Sequence, residues 1–433
     1  MKNRKEAKPA LQPLGLAYIA GTLIANGFKD VEILDVLTEG YYTEEPFKDD
    51  YIRYGLSPGE IRKRIKEYNP DIVGVSCLMD LRKYHALEIC KIAKSVNPHA
   101  ITVIGGNPVT VNPQWYLKNG EVDIAVLGEG EKPFLEIVKN YSHIQYGDED
   151  YLIGRVNGIA VKTNAREELE YVVKPQIEWE KDIDNIARPA HHLLKLDKHL
   201  EIWEKEGYHY YPAKKFTSMI MARGCPHQCR HCPHNVLFKG YRFRSAKNVF
   251  DEVKYCYENL GIEEVQFHEY NGIVVWSVVE EFCKLMIVSG LNKKISWGWP
   301  IGIWLKILTY DRLKLMREAG MMYVDLAIES HSQIALDKLM KGKDVDSIAF
   351  FIAQPIPGTP FWDECANNSL FLDGFDTFHL RYGKSNIKVS GITPKELEEY
   401  RHKARKSFVE YWKSHGRKPY KGKRGEDFLE RKT

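Results

Sequence analysis

The residues best equipped for chemistry lie in one stretch, Cys225-Pro-His-Gln-Cys229-Arg-His-Cys232. Three thiolates at spacings of four and three can hold a 4Fe–4S cluster while leaving one iron without a protein ligand, open to a substrate or cofactor. The same thiolates could close a tetrahedral zinc site if His227, His231 or His234 supplied a fourth ligand. Spacing favours the cluster, with zinc as the alternative. The other cysteines, Cys77, Cys90, Cys256, Cys283 and Cys365, are scattered singly and read as core thiols in a reducing compartment. Cys77 stands apart because it ends an apolar run of strand type.

The elements that must position these thiols follow from the pattern of the chain. Its 433 residues are 44% hydrophobic, enough for two or three domains, and exclude a disordered chain. The near balance of 62 basic and 59 acidic residues gives no nucleic-acid footprint. No apolar run approaches a membrane span, and no secretory leader is readable, so a cytoplasmic protein without membrane partners is expected. A helix over 14–28 and a strand over 31–36 (VEILDV) open the chain. Ser57-Pro58-Gly59-Glu60 is a capping box that starts a helix closed by Asn69-Pro70. The strands DIVGVSCL, AITVIGG and VDIAVLG then alternate with helices over 81–96 and 131–141. Continuous apolar strands separated by helices indicate a parallel sheet covered on both faces.

The fold class is therefore α/β, with a doubly wound parallel-sheet domain over 1–150. Residues 151–215, including a hairpin in GRVNGIAVKT, form a linker. A full or partial βα barrel over 216–375 uses FTSMIMA, VQFHE, ISWGW, YVDLAIES and AFFIAQP as strands, with chemistry expected where the strands end. Trp297 and Trp299, at the end of the third barrel strand, point the same way and read as core. A helix capped by Thr393-Pro394-Lys395-Glu396 and a basic, solvated tail complete a helical region over 376–433.

CxxxCxxC directly after the first strand of a βα series resembles the radical S-adenosylmethionine (SAM) superfamily. Tyr241-Arg-Phe-Arg244-Ser245, Phe267-His-Glu-Tyr-Asn271, Ala327-Ile-Glu329-Ser330-His-Ser-Gln and PIPGTP are similar to its successive strand-end motifs. The resemblance implies that Cys225, Cys229 and Cys232 ligate the cluster, that Glu269 and Asn271 lie near the SAM amino group, and that Glu329 and Ser330 lie near its ribose and carboxylate. Local readings stand beside these: Glu329-Ser330 as a helix cap, and Arg242 and Arg244 as a solvated loop with Ser245 as N-cap.

In the first domain, Pro13-Leu-Gly15-Leu, Ile104-Gly105-Gly106-Asn107 and Leu127-Gly128-Glu129-Gly130-Glu131 occur in order. Glycines at strand ends let backbone approach a ligand in the crevice beyond the sheet. Singly these are ordinary turns. As a set they are similar to the cobalamin-binding domain of class B radical SAM enzymes, and the combined resemblance covers most of residues 12–365. It implies cobalamin contacts at Gly15, Ser76, Cys77, Gly105, Gly106, Gly128, Glu129 and Gly130. The Asp-x-His-x-x-Gly motif is absent and His85 and His99 read as surface residues, so cobalamin is expected without a histidine ligand. Two departures from the family are visible. A short basic segment replaces the strand expected before PLGL, and only Lys343 to Ser347 separates the fourth barrel strand region from AFFIAQP.

The resemblance implies methylation of an unactivated carbon under anaerobic conditions. One SAM would methylate cob(I)alamin, and another, reductively cleaved at the cluster, would yield the 5′-deoxyadenosyl radical that takes hydrogen from the substrate. The substrate radical would then accept the methyl group from methylcobalamin. An electron donor of ferredoxin or flavodoxin type is implied. The compact chain suggests a peptide or protein substrate, as in family members that modify methyl-coenzyme M reductase, including a glutamine C-methylase. The alternatives are a cobalamin-using member that forms or rearranges rings without net methylation, and a non-catalytic corrinoid or zinc protein.

Overall fold

The structure is a computed structural model that describes residues 2–3, 8, 10–47, 51–145, 149–163, 170–176, 178–206, 214–304, 307–327, 352–380 and 384–414. The first sheet is built on β1 (Ile72–Ser76), β2 (Ile101–Gly105) and β3 (Ile124–Val126), paired in parallel in that order. The hairpin β4 (Ile159–Thr163) and β5 (Glu170–Lys174), read as linker from sequence, joins the sheet through antiparallel pairing of β4 with β3. Helix α1 (Leu14–Ala25) packs on α4 (Glu131–Lys139), while α2 (Pro58–Tyr68) and α3 (Lys83–Val96) lie together. The capping box is formed: Glu60 N–H donates to Ser57 Oγ at 3.3 Å and Ser57 N–H to Glu60 Oε2 at 2.7 Å. Such a cap satisfies backbone donors that the first helical turn leaves open.

The expected strand at VEILDV does not form. Val31 and Ile33 pack into the core of the second domain, and Asp35 accepts the Thr38 N–H at 3.1 Å, turning the chain into a short helix, Val36–Glu39. The basic segment before α1 has a role that its composition did not signal. Lys2–Asn3 pairs with Tyr51–Tyr54, which also pairs with Glu44–Pro46 in a small antiparallel sheet.

Among its described residues the second domain has a sheet of four parallel strands, β6 (Phe216–Met219), β9 (Glu264–Phe267), β10 (Ser296–Trp304) and β11 (Met321–Ala327), adjacent in that order. A two-stranded ribbon, β7 (Ala222–Gly224) and β8 (Tyr241–Phe243), follows β6. Helices α5 (Ala246–Leu260), α6 (Trp276–Val288) and α7 (Tyr310–Glu318) cover the sheet, and Ser245 caps α5 as expected. Trp297 and Trp299 lie near the start of β10 rather than its end, and both are buried in the core. The final strand expected at AFFIAQP is not supported by its described part: Ile352 to Pro355 take part in no strand, and residues 349–351 lie outside the described residues. Gln354 instead donates to Lys384 O at 2.9 Å and accepts from Asn386 at 2.6 Å, folding this segment onto the chain beyond 384. The segment from Lys343 to Ser347 also lies outside the described residues.

The two domains share side chains. Gln12 donates to Phe216 O at 3.0 Å and accepts from Ser218 N–H at 2.8 Å, fixing the segment before α1 along β6. Thr217 Oγ1 meets His191 Nδ1 at 2.9 Å, and His191 Nε2 meets Glu252 at 2.8 Å. Burial alone would raise the Glu252 carboxyl, but Arg244 and His191 hold it down at about 2. Arg244, read as a possible solvated loop residue, is thus buried and paired with Glu252 at 2.6 Å. At the far end of the chain, Lys83 binds Asp376 at 2.5 Å, and Phe378 is buried against Tyr51 and Tyr84.

Candidate cofactor site at the domain junction

The three cysteines lie in the connection between β7 and β8, whose register pairs Ala222 with Phe243, Arg223 with Arg242 and Gly224 with Tyr241. Gly224 has φ +90°, and a Cβ there would lie 1.9 Å from Gly240 O, so glycine is what allows the base of the loop to close. Cys225, Cys229 and Cys232 are half-buried, and the Cys232 N–H donates to Cys229 O at 3.1 Å in a tight turn. Asn271, left-handed at φ +57°, donates to Cys225 Sγ at 3.6 Å and accepts the Trp304 N–H at 2.8 Å. Tyr241 donates to the Asn271 carbonyl at 2.5 Å. Asn271, expected near SAM, is therefore held beside the first cysteine.

Three half-exposed thiols on one short loop suit a cluster that keeps one iron open. Among the described residues no three or more His, Cys, Asp or Glu side chains are gathered tightly enough to hold a metal ion as they stand. His227 stands edge-on to Trp304 with centroids 4.8 Å apart, and His234 packs against Phe238 and Tyr270.

Glu269 is buried just beyond the end of β9. Trp299 Nε1 donates to its Oε1 at 2.7 Å and the Met221 N–H to its Oε2 at 3.2 Å. Burial pushes its carboxyl up to about 7, with these two donors pulling the other way. A protonated or ionised carboxyl at the mouth of the sheet is thus accessible near neutral pH. Glu329 and Ser330 lie outside the described residues.

At the carboxyl edge of the first sheet, Ser76, Leu78 and Met79 are exposed, whereas Cys77 is fully buried with its thiol 3.6 Å from Tyr116 Oη. Burial pushes the Cys77 thiol up to about 11. Gly106 has φ +116°, and a Cβ would lie 2.1 Å from Cys77 O, so the turn after β2 requires glycine. A Cβ at Gly15 would meet open space, and one at Gly105 only ordinary contact with Val126. Gly128 donates to Thr110 Oγ1 at 2.9 Å and is closely approached by Gln176, and Gly130 by Ile19. His99 is exposed, as read from sequence. His85, read as a surface residue, is half-buried: its ring lies tilted against Phe47 with both ring nitrogens buried, and burial pushes it down to about 3.

Glu129 is engaged by two arginines of the second domain. Its carboxylate meets Arg223 at 3.1 Å and both guanidinium nitrogens of Arg242, one of them at 3.2 Å. Arg223 also meets Glu131 at 2.5 Å and lies 4.8 Å from the Tyr18 ring. Arg242, the second arginine read as solvated, is therefore an interdomain contact. The helix His234–Leu237 that follows the cysteines packs against Asn107–Val111, directly after Gly106. The loop proposed for the cluster and the turns proposed for cobalamin thus meet at one junction. Sequence reasoning missed Arg223 as a contact of Glu129 and Glu131 because nothing in spacing links residues so far apart in the chain.

Residues 3–138 match the family described as B12 binding domain, and residues 219–350 match the Radical SAM superfamily. Cytidylyl-2-hydroxyethylphosphonate methyltransferase of Streptomyces wedmorensis is 31% identical over 349 residues, 76% of this chain and 63% of that protein. Anaerobic magnesium-protoporphyrin IX monomethyl ester cyclase of Rubrivivax gelatinosus is 30% identical over 343 residues, 77% of this chain and 54% of the cyclase. The chain thus spans 54% to 63% of the length of these relatives. The radical SAM methyltransferase TsrM of Kitasatospora setae, solved with cobalamin and a 4Fe–4S cluster bound, shares the fold with a TM-score of 0.54 at 16% identity, over 76% of this chain and 60% of that one. A B12 binding domain followed by a radical SAM domain, meeting where the three-cysteine loop lies, makes this chain a member of the cobalamin-dependent radical SAM family, whose cofactors are a 4Fe–4S cluster, SAM and cobalamin.

Proposed function

We propose that the chain is a C-methyltransferase that acts on an unactivated carbon. The observation that carries this reading is the junction itself: the cysteine loop leans on the turn after Gly106 and is tied by Arg223 and Arg242 to Glu129 and Glu131. When bound, the cofactors supply a transferable methyl group on one side and radical-forming cleavage of SAM on the other. The chain contributes placement. Cys225, Cys229 and Cys232 would hold the cluster, and Glu269 offers a buried carboxyl at the mouth of the barrel. Trp297, Trp299 and Phe267 wall the interior against water. Gly15, Ser76, Gly105, Gly106, Gly128 and Gly130 would line the cobalamin side.

The substrate is proposed to be a peptide or protein side chain, which fits the exposed apolar side chains Leu78 and Met79 after β1 and Tyr270 and Trp304 beside the cysteine loop. The reductant would be a low-potential donor of ferredoxin or flavodoxin type. The likeness to the S. wedmorensis methyltransferase supports methylation, and the likeness to the cyclase favours a second reading, cobalamin-dependent ring chemistry without net methylation. Anaerobic incubation with methyl-labelled SAM, a strong reductant and peptide fractions of the host separates them. Labelled peptide together with 5′-deoxyadenosine supports the first reading, and 5′-deoxyadenosine without methylated product sinks it.

A further inference from the structure

The ribbon that carries the cysteines has a charge problem that the other domain solves. Arg223 and Arg242 are directly opposite each other across β7 and β8, where like charges repel. Glu129 contacts both guanidiniums, and Glu131 takes a second bond from Arg223. The side chains of Arg223, Arg242 and Glu129 are each at most a tenth exposed, so solvent does little to screen the repulsion if the acid is removed. Two aromatic rings complete the packing: Tyr18 lies 4.8 Å from the Arg223 guanidinium, and Trp179 lies 5.5 Å from that of Arg242. Arg242 also donates to Glu180 O at 2.7 Å. Arg223 is two residues before Cys225, and Gly224 and Gly240 pinch the loop shut immediately beyond the pair.

We infer that Glu129, with Arg223 and Arg242, is a positioning clamp that fixes the cluster loop relative to the cobalamin domain, and so sets the separation of the two cofactors. This rests on the proposed two-cofactor function. It assigns Glu129 to the junction rather than to contact with cobalamin, and it makes the base of the cysteine loop depend on an acid supplied by the first domain. Two guanidiniums across a ribbon and two carboxylates on one turn balance in charge, so the buried cluster is neutral as a unit. Removing Glu129 leaves the arginines unbalanced at the point from which the thiols are hung.

The test uses the full chain and two variants, Glu129→Gln and Arg242→Met. The second relieves the repulsion while opening the clamp, and so remains informative if the first folds poorly. Hydrogen exchange on the protein before reconstitution is expected to rise at residues 222–224 and 241–243 in both variants, with β9 unchanged. A purely structural defect would raise both regions. After anaerobic reconstitution, the microwave-power saturation of the cob(II)alamin EPR signal is compared with the cluster oxidised and reduced. In the parent chain the reduced cluster should make the signal harder to saturate, and the variants, with both cofactors loaded, should lose that enhancement. Full enhancement in loaded variants overturns the clamp, as does selective loss of cobalamin from Glu129→Gln, which would make Glu129 a cofactor contact. If the parent chain takes up neither cofactor, the functional reading fails, while the exchange measurement still decides whether the clamp exists.

Discussion

Replacing Glu269 with glutamine should remove a pH dependence that is built into the barrel. The carboxyl is buried, held by Trp299 Nε1 at 2.7 Å and the Met221 N–H at 3.2 Å, and pushed from 4.5 up to about 7. That displacement corresponds to about 3 kcal/mol of preference for the protonated form in the folded chain. The folded state binds the proton more tightly than the unfolded one, so this contribution is fully present below about pH 4.5 and is lost as pH rises through about 7. Between about pH 5.5 and about pH 8.5 the parent chain should lose about 2 kcal/mol more unfolding free energy than Glu269→Gln. The variant's own lost hydrogen bond is a constant offset and cancels in that comparison. Urea unfolding of the cofactor-free protein under reducing conditions at the two pH values reads the difference. Parallel pH dependence in the two proteins would refute the burial argument for Glu269.

Other consequences are open to direct measurement. Lys83→Met should cost about 2 kcal/mol, less than for a fully enclosed pair because Asp376 is one-third exposed, and should speed proteolysis around Phe378. Gly106→Ala should cost about 3 kcal/mol or more, because a Cβ meets Cys77 O at 2.1 Å at a positive φ, and thermal unfolding will read it. Gly15→Ala, facing open space, should leave stability within about 0.5 kcal/mol while weakening cobalamin uptake, if Gly15 lines the cofactor as proposed.

The parts of this molecule that were legible in sequence are those that speak through local pattern. Three cysteines in eight residues after an apolar strand, the Ser57 capping box and the glycine turn at Gly106 are each specified by neighbours in the chain, and the structure has the strand, the cap and the turn where they were read. VEILDV shows where composition misleads: its apolar residues serve the neighbouring domain's core, while Asp35 spends its side chain capping a turn. Of the hairpin expected in GRVNGIAVKT only Ile159–Thr163 is a strand: Gly154 and Arg155 close a helix, and the strand pairs instead with Glu170–Lys174 and with β3, partners that lie outside the stretch that was read. Arg242 and Arg244 looked solvated because their acids, Glu129 and Glu252, are brought to them only by folding. His85 looked like a surface residue for a similar reason, since Phe47 covers it from another element.

The most direct measurement of the two-cofactor junction is anaerobic reconstitution with iron, sulfide and cobalamin, followed by EPR of the reduced protein with and without SAM and by assay for 5′-deoxyadenosine. The expected result is a 4Fe–4S signal that changes when SAM is added, cobalamin retained through desalting, and 5′-deoxyadenosine that disappears when Cys225, Cys229 and Cys232 are replaced by alanine. Zinc as the sole metal on the three cysteines, with no cobalamin retained and no 5′-deoxyadenosine under strong reductant, would contradict it.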